Sequence, residues 1–239
     1  TASTAVLLTS PFVFTFMNET QKPLFEAIWE TREEEVYPEL FGNNYRGTFV
    51  LTPEVFTRVF RQADIDPRWL HYGVIEFEPT PQRKSWLYVT SGTSNPWDAE
   101  PSEYDSCEYS GFGTELVLET SEQSPWAILI LQRLLAFNIL LVHGRFGLTQ
   151  PLDYGSRVPL RCSIDLDGGS ALTHVIFGAP EHYSPSFKLL SGKVDFLHMA
   201  GITQSERDYA QAQDSAQLIE KLKAAQAFPV TNPARTAVV

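Results

Sequence analysis

Along the first forty residues the apolar positions recur at three- and four-residue spacing. Leu24, Ile28, Trp29 and Val36 predict a helix over Gln21–Tyr37, ended by Pro38, with Glu33, Glu34 and Glu35 on its solvated side. Thr52 as N-cap and Pro53 at the first helical position predict a short helix through Val55, Phe56 and Val59. From Leu70 the pattern changes to strand: Tyr72, Val74, Ile75 and Phe77, a turn at Pro79–Gln82, then Trp86–Val89. Ser91–Ser110 is rich in Gly, Ser, Pro and acids and predicts an exposed loop, and Phe112–Glu119 a further strand. Ser124 and Pro125 open the longest helix, Trp126 to about His143, closed by Gly144. It is apolar on nearly all faces, which requires burial against a sheet. Leu172–Phe177 and Val194–Met199 read as strands, Thr203 with Glu206 as a capping box opening a helix, and Ser215–Ala225 as a last helix. This irregular order, without a repeat or linker, predicts one α+β domain over residues 1–239, with a mixed, largely antiparallel sheet packed by helices.

With 239 residues, 43% hydrophobic and 20% charged, the chain can bury a sizeable core and is not of disordered composition. Its net charge of −11 excludes nucleic acid as the expected partner, since phosphate contacts need clustered Lys and Arg. The excess is uneven: residues 1–110 hold 8 basic and 17 acidic side chains, so the first half is where a cationic partner would dock. Cys107 and Cys162 have no metal-binding spacing; free thiols in a reducing compartment are expected, with one disulfide as the alternative. The most apolar run, Ala127–Val142, is interrupted by Gln132, Arg133 and Asn138, so no membrane span is expected. Val6–Met17 is apolar but lacks a basic leader and fits a signal peptide poorly. The expected location is the cytoplasm.

Candidate chemistry is sparse. The histidines form no His-Glu-x-x-His, and there is no Gly-x-Ser-x-Gly elbow or phosphate loop. Gly111-Phe112-Gly113 precedes a strand where a dinucleotide fingerprint follows one, and reads as a tight loop. Asp195 and His198, three apart on a strand, point to opposite faces. An enzyme or small-molecule site would have to be assembled from His143, Asp153, Arg157 and His182. His143 reads more simply as a helix-terminal His satisfying the last carbonyls. Arg145, Arg157 and Arg161 read as surface or structural residues. No cofactor or metal is expected. The informative segment is Trp97–Tyr109: Asp98, Glu100, Glu103, Asp105 and Glu108, no basic residue, and interleaved Trp97, Tyr104 and Tyr109. Acids steer a basic partner and aromatics supply contact area at low entropic cost. The partner-binding residues are therefore Trp97, Asp98, Glu100, Tyr104 and Asp105. The alternative is a solvated loop whose aromatics fold back on the body.

Three stretches resemble the suppressor of fused family, in the family's order. The first runs from Lys84 through Trp86, Tyr88 and Gly92 to Trp97. The second is Gly111-Phe112-Gly113 leading to Glu115 and Leu116, then Pro125-Trp126 and its helix. The third takes in Pro151–Asp153, Gly192–Thr203 and Val230–Arg235. They span about 84–239; within 1–83, Leu51–Glu54 and Asp66–Trp69 are similar to the compact bacterial members. The resemblance implies binding rather than turnover. Animal members sequester zinc-finger transcription factors of the Hedgehog pathway by taking a short peptide between two lobes, and bacterial ones look like immunity factors against secreted toxins. The second lobe has no expected counterpart here, so the implied role is binding a protein, such as a basic toxin domain or peptide. Trp97 lies where the family's loop aromatic contributes to peptide binding.

Overall fold

The computed structural model describes residues 21–239; the Val6–Met17 run lies outside them. Among the described residues nine strands form: Tyr45–Val50 (β1), Gly73–Phe77 (β2), Trp86–Ser91 (β3), Tyr109–Thr120 (β4), Arg157–Pro159 (β5), His174–Gly178 (β6), Ser186–Leu189 (β7), Gly192–Ile202 (β8) and Val230–Thr231 (β9). They make one sheet in the order β1-β2-β3-β4-β8-β6-β5, with β7 also on β8 and β9 on β4. β4 pairs in parallel with β8 and β9, and the other pairs are antiparallel. This is the mixed, largely antiparallel α+β domain that the element order predicts.

Strand periodicity sorts the core into two layers. On one face Val74, Tyr88, Leu116, Leu118, Leu197 and Met199 receive the long helix α3, Pro125–Val142. The far side of α3 is covered too: Leu135, Ala136, Ile139 and Leu140 pack with Leu51, Phe56, Trp69 and Tyr72. Enclosure on both sides explains its all-round apolar sequence. By length and composition alone α3 could cross a membrane, contrary to the sequence expectation, but 67% of it is buried inside the protein, as in a core helix. Two of its polar interruptions are tethers. Gln132 Nε2 donates to the Phe49 and Val50 carbonyls at 3.1 and 2.9 Å, and Asn138 Oδ1 accepts from the Leu152 amide at 2.9 Å.

The opposite face is covered by α1 (Gln21–Glu30), a π-helical stretch over Thr31–Val36 and α2 (Tyr37–Phe41). The helix expected to stop before Pro38 therefore continues to Phe41 and ends at Gly42, whose φ of 100° no longer fits it. The wider π register relaxes the close approach of a proline ring to the preceding turn, which would break a regular α-helix there. Ile28, Tyr37 and Phe41 pack on Ile75, Phe77, Val89, Val117 and Phe196. On the same face α4 (Gln204–Ala212) and α5 (Ser215–Ala224) cover Ile176, Ala200 and Ile202. The Thr203–Glu206 capping box is present. Ser124, by contrast, occupies the N-cap position of α3 without capping it, and its hydroxyl donates to the Glu122 carbonyl. The short helix after Pro53 forms as a π-helical turn over Val55–Val59.

Candidate functional site

The acidic run after Arg32 is not simply a solvated face. The π-helical stretch turns Arg32 into the protein, where it is 1% exposed, and brings Glu33 to the surface of the sheet. Arg32 donates to Ser94 Oγ at 3.0 Å, Asn95 Oδ1 at 2.6 Å and Glu33 at 3.2 Å. Ser91 donates to Glu33 as well, giving that carboxylate a structural role the sequence reading did not assign. Glu115, fully buried on β4, takes the other half of the network. Its carboxylate accepts from the Gly92 and Ser94 amides at 3.1 and 3.0 Å, and from the Ser94 and Thr90 hydroxyls at 2.6 and 2.5 Å. Burial by itself would lower the Arg32 pKa, but Glu33 and Glu115 raise it above the usual arginine value, so the cation is firmly held.

This network overturns part of the loop expectation. Ser91–Pro96 are buried, not exposed; their hydroxyls and amides suit solvent equally well in sequence, but here they satisfy two buried charges. The segment is also tied to the Gly-Phe-Gly motif. Phe112 donates its amide to the Thr93 carbonyl at 2.7 Å, and Ser110 its hydroxyl to the Ser94 carbonyl at 2.6 Å. The expected tight bend is a bulge inside β4, where the register to β8 shifts between Tyr109 and Thr114. Gly111 has φ 58°, and a Cβ there would lie 2.4 Å from the Thr93 carbonyl oxygen.

Between the bulge, the loop and the C-terminal end of α3 lies a pocket of about 320 Å³. Its walls are Trp69, Tyr72, Trp97, Tyr109 and Phe112. Arg68, Asp98 and His143 also line it. Arg68 is clamped by Asp66 at 2.7 Å and by Asp98 at 2.9 Å. The hydrogen bond from Arg68 in turn holds the Asp66 carboxyl below its usual range.

The loop residues singled out by sequence divide between outside and inside. Asp98, Glu100 and Asp105 are exposed. Glu100 and Glu103 form a capping box around a short 3-10 turn, and Asp105 Oδ1 accepts from the Cys107 amide at 2.8 Å. Trp97 is half-buried, its ring 4.5 Å from that of Phe25 and 6.3 Å from that of His71, and its indole Nε1 has no hydrogen-bond partner among the described residues. Tyr104 packs against the core beneath α1 and α2, and burial raises its pKa. The pocket thus unites Trp97 and Asp98 with Trp69, Tyr72, Phe112 and His143. Sequence reasoning missed this set, whose only local signal is an aromatic cluster spread over three distant segments.

The alternative site does not assemble. His143 Nδ1 meets the Ile139 carbonyl at 2.8 Å, the helix-end role expected of it. Arg157 instead binds the Ala210 carbonyl and Ser215, and Asp153 accepts from the Tyr154 amide. His182 enters the surroundings of His198. Among the described residues no group of three or more His, Cys, Asp or Glu side chains could hold a metal ion. Asp195 and His198 do face opposite ways: Asp195 bonds the exposed Tyr109 hydroxyl at 3.0 Å, and His198 is fully buried.

Comparison with known proteins agrees with this architecture. The family model described as suppressor of fused protein matches residues 68–236. Three solved structures share the fold. The Drosophila suppressor of fused crystal structure is 18% identical with a TM-score of 0.56, and covers 70% of this chain and 42% of its own. The chain thus spans less than half of that Drosophila protein. The crystal structure of a Sufu-Fu complex gives 19% identity and a TM-score of 0.62, with 90% and 92% covered. A suppressor of fused homolog from Neisseria gonorrhoeae gives 15% and 0.60, with 91% and 98% covered. No curated protein sequence matches the chain.

Proposed function

The chain belongs to the suppressor of fused family, a non-catalytic protein-binding scaffold, and on that premise we propose that it sequesters one protein partner through the loop Trp97–Tyr109. The observation that carries this reading is the placement of the loop. Asp98, Glu100, Glu103, Asp105 and Glu108 are all exposed on a segment whose root is pinned by two buried charges. A pre-ordered acidic surface loses little conformational entropy on docking and speeds encounter with a basic partner. The partner class this favours is a basic protein domain or peptide, and an immunity role against a toxin domain fits that chemistry. The free thiols Cys107 and Cys162 support a cytoplasmic location.

The test is affinity for a partner captured with the full chain, then purified and measured by calorimetry. Changing Asp98→Lys, Glu100→Lys and Asp105→Lys together should weaken binding at least about tenfold, and remove most of the salt dependence of the association rate. Unchanged affinity in a folded triple variant would move the docking face elsewhere.

A further inference from the structure

The pocket beside this loop carries a more specific recognition chemistry. Five aromatic side chains wall it, and aromatic rings attract cations through the negative potential of their faces. Arg68, which lines the pocket, is already held by Asp66 and Asp98, so these three groups together leave one net negative charge, and Lys193, 5.4 Å over the Tyr109 ring, is paired with Asp195. Asp98 still presents 75% of its side chain to solvent. His143 turns its Nδ1 to the Ile139 carbonyl at 2.8 Å; a carbonyl can only accept, so Nδ1 carries a proton. A guest therefore finds aromatic faces, the outward carboxylate of Asp98 and a negative surround. A carboxylate or phosphate would be repelled, and an aliphatic side chain would leave that carboxylate unused.

We propose that this pocket receives a single arginine or lysine side chain of the partner, as the anchor around which the acidic loop docks. The proposal rests on the reading of Trp97–Tyr109 as the docking face, and it names the residue type that the face selects.

The probe is N-acetyl-arginine amide, titrated into the isotopically labelled full chain and followed by NMR. N-acetyl-lysine amide is the second cation; the neutral analogues N-acetyl-citrulline amide and N-acetyl-norleucine amide are controls. Both cations should give saturable shifts at the Trp97 indole N–H and at the Phe112 amide. The citrulline and norleucine amides should bind at least about tenfold more weakly. Asp98→Asn, a change on an exposed side chain, should reduce the arginine amide's affinity by a similar factor. Equal or tighter binding of the norleucine amide would make the pocket an apolar socket and overturn the assignment. So would the absence of saturable shifts in folded protein. The two readings separate cleanly. Loss of partner binding in a Glu100→Lys, Asp105→Lys variant, with no probe binding in the pocket, sinks the pocket assignment alone. Probe binding with partner affinity indifferent to those reversals sinks the docking face instead.

Discussion

Glu115 is the side chain on which the root of the Trp97–Tyr109 loop most depends, and its removal can be worked through from the contacts. In Glu115→Ala, the Gly92 and Ser94 amides lose their acceptor inside the protein, and Arg32 loses one of its two nearby carboxylates. An orphaned buried donor costs about 1–3 kcal/mol, and breaking a buried charge pair about 3–5 kcal/mol. Glu33 stays 3.2 Å from Arg32, so the second figure applies only in part. The expected loss is about 4 kcal/mol, against the roughly 5–15 kcal/mol that holds a domain folded. Glu115→Gln keeps one carbonyl acceptor but not the charge, and should cost about 2 kcal/mol. Arg32→Met combined with Glu115→Gln should cost less than the two single changes added together, by at least about 1 kcal/mol, because the double variant leaves neither Arg32 nor Glu115 as an uncompensated buried charge, while Glu33 keeps its hydrogen bond from Ser91. Urea unfolding followed by tryptophan fluorescence measures the parent and the four variants, provided the slopes agree. If Glu115→Gln costs under about 0.5 kcal/mol and the pair is additive, the two charges are not coupled and the network does not hold the loop.

Three further outcomes are expected. Burial holds the His198 pKa below its ordinary value, its Nε2 donating to the Pro229 carbonyl and its Nδ1 accepting from Tyr183, both at 3.0 Å. The unfolded chain then binds more protons as pH falls through about 6.5, so stability should decline from pH 7 to 5. His198→Gln should flatten that decline, leaving the part due to His71 and His174, which burial also depresses; equal slopes in urea midpoints would count against it. Arg235→Met strips the partner from Glu206, which is 0% exposed and bonded to Arg235 at 2.6 and 2.7 Å, and should cost about 3 kcal/mol. Burial then raises the unpaired Glu206, so the deficit should shrink on acidification; a constant deficit would refute this. Gly111→Ala forces a Cβ towards the Thr93 and Asn95 carbonyl oxygens at φ 58°, and should lower stability by about 2 kcal/mol while closing the pocket. A melting temperature within a degree of the parent would show that the bulge is not tightly packed.

The sheet and the long helix were legible because their signals are local. Short apolar runs at Tyr72–Phe77 and Trp86–Val89 give β2 and β3, and the all-round apolar α3 can only be an enclosed helix. The Thr203–Glu206 box is likewise a four-residue signature. What failed was the assignment of polar residues. Arg32 and Ser91–Asn95 have the composition of solvated positions, yet they bury against each other because Arg32 and Glu115 need partners there, while Glu34 and Glu35 stay exposed as expected. Such pairing is non-local, joining positions 62 and 63 residues apart, and neither segment betrays it alone. The same holds for the pocket, whose walls come from Arg68–Tyr72, Asn95–Phe112 and the end of α3.

The misread segment also bears on the proposal that the loop is a docking face. An acidic loop free to move would lose entropy on docking and repel itself while waiting. Here Arg32 and Glu115 fix Gly92–Asn95, the bulge at Gly111 fixes the far end, and Trp97 rests on Phe25. Asp98 thereby stands at the mouth of the aromatic pocket before any partner arrives. It follows that Glu115→Gln, which touches no partner, should still weaken partner binding by releasing the root of the loop. The loss should be accompanied by faster amide exchange over residues 92–96. Weaker binding with unchanged exchange there would separate affinity from loop order, and would return the effect of Glu115 to stability alone.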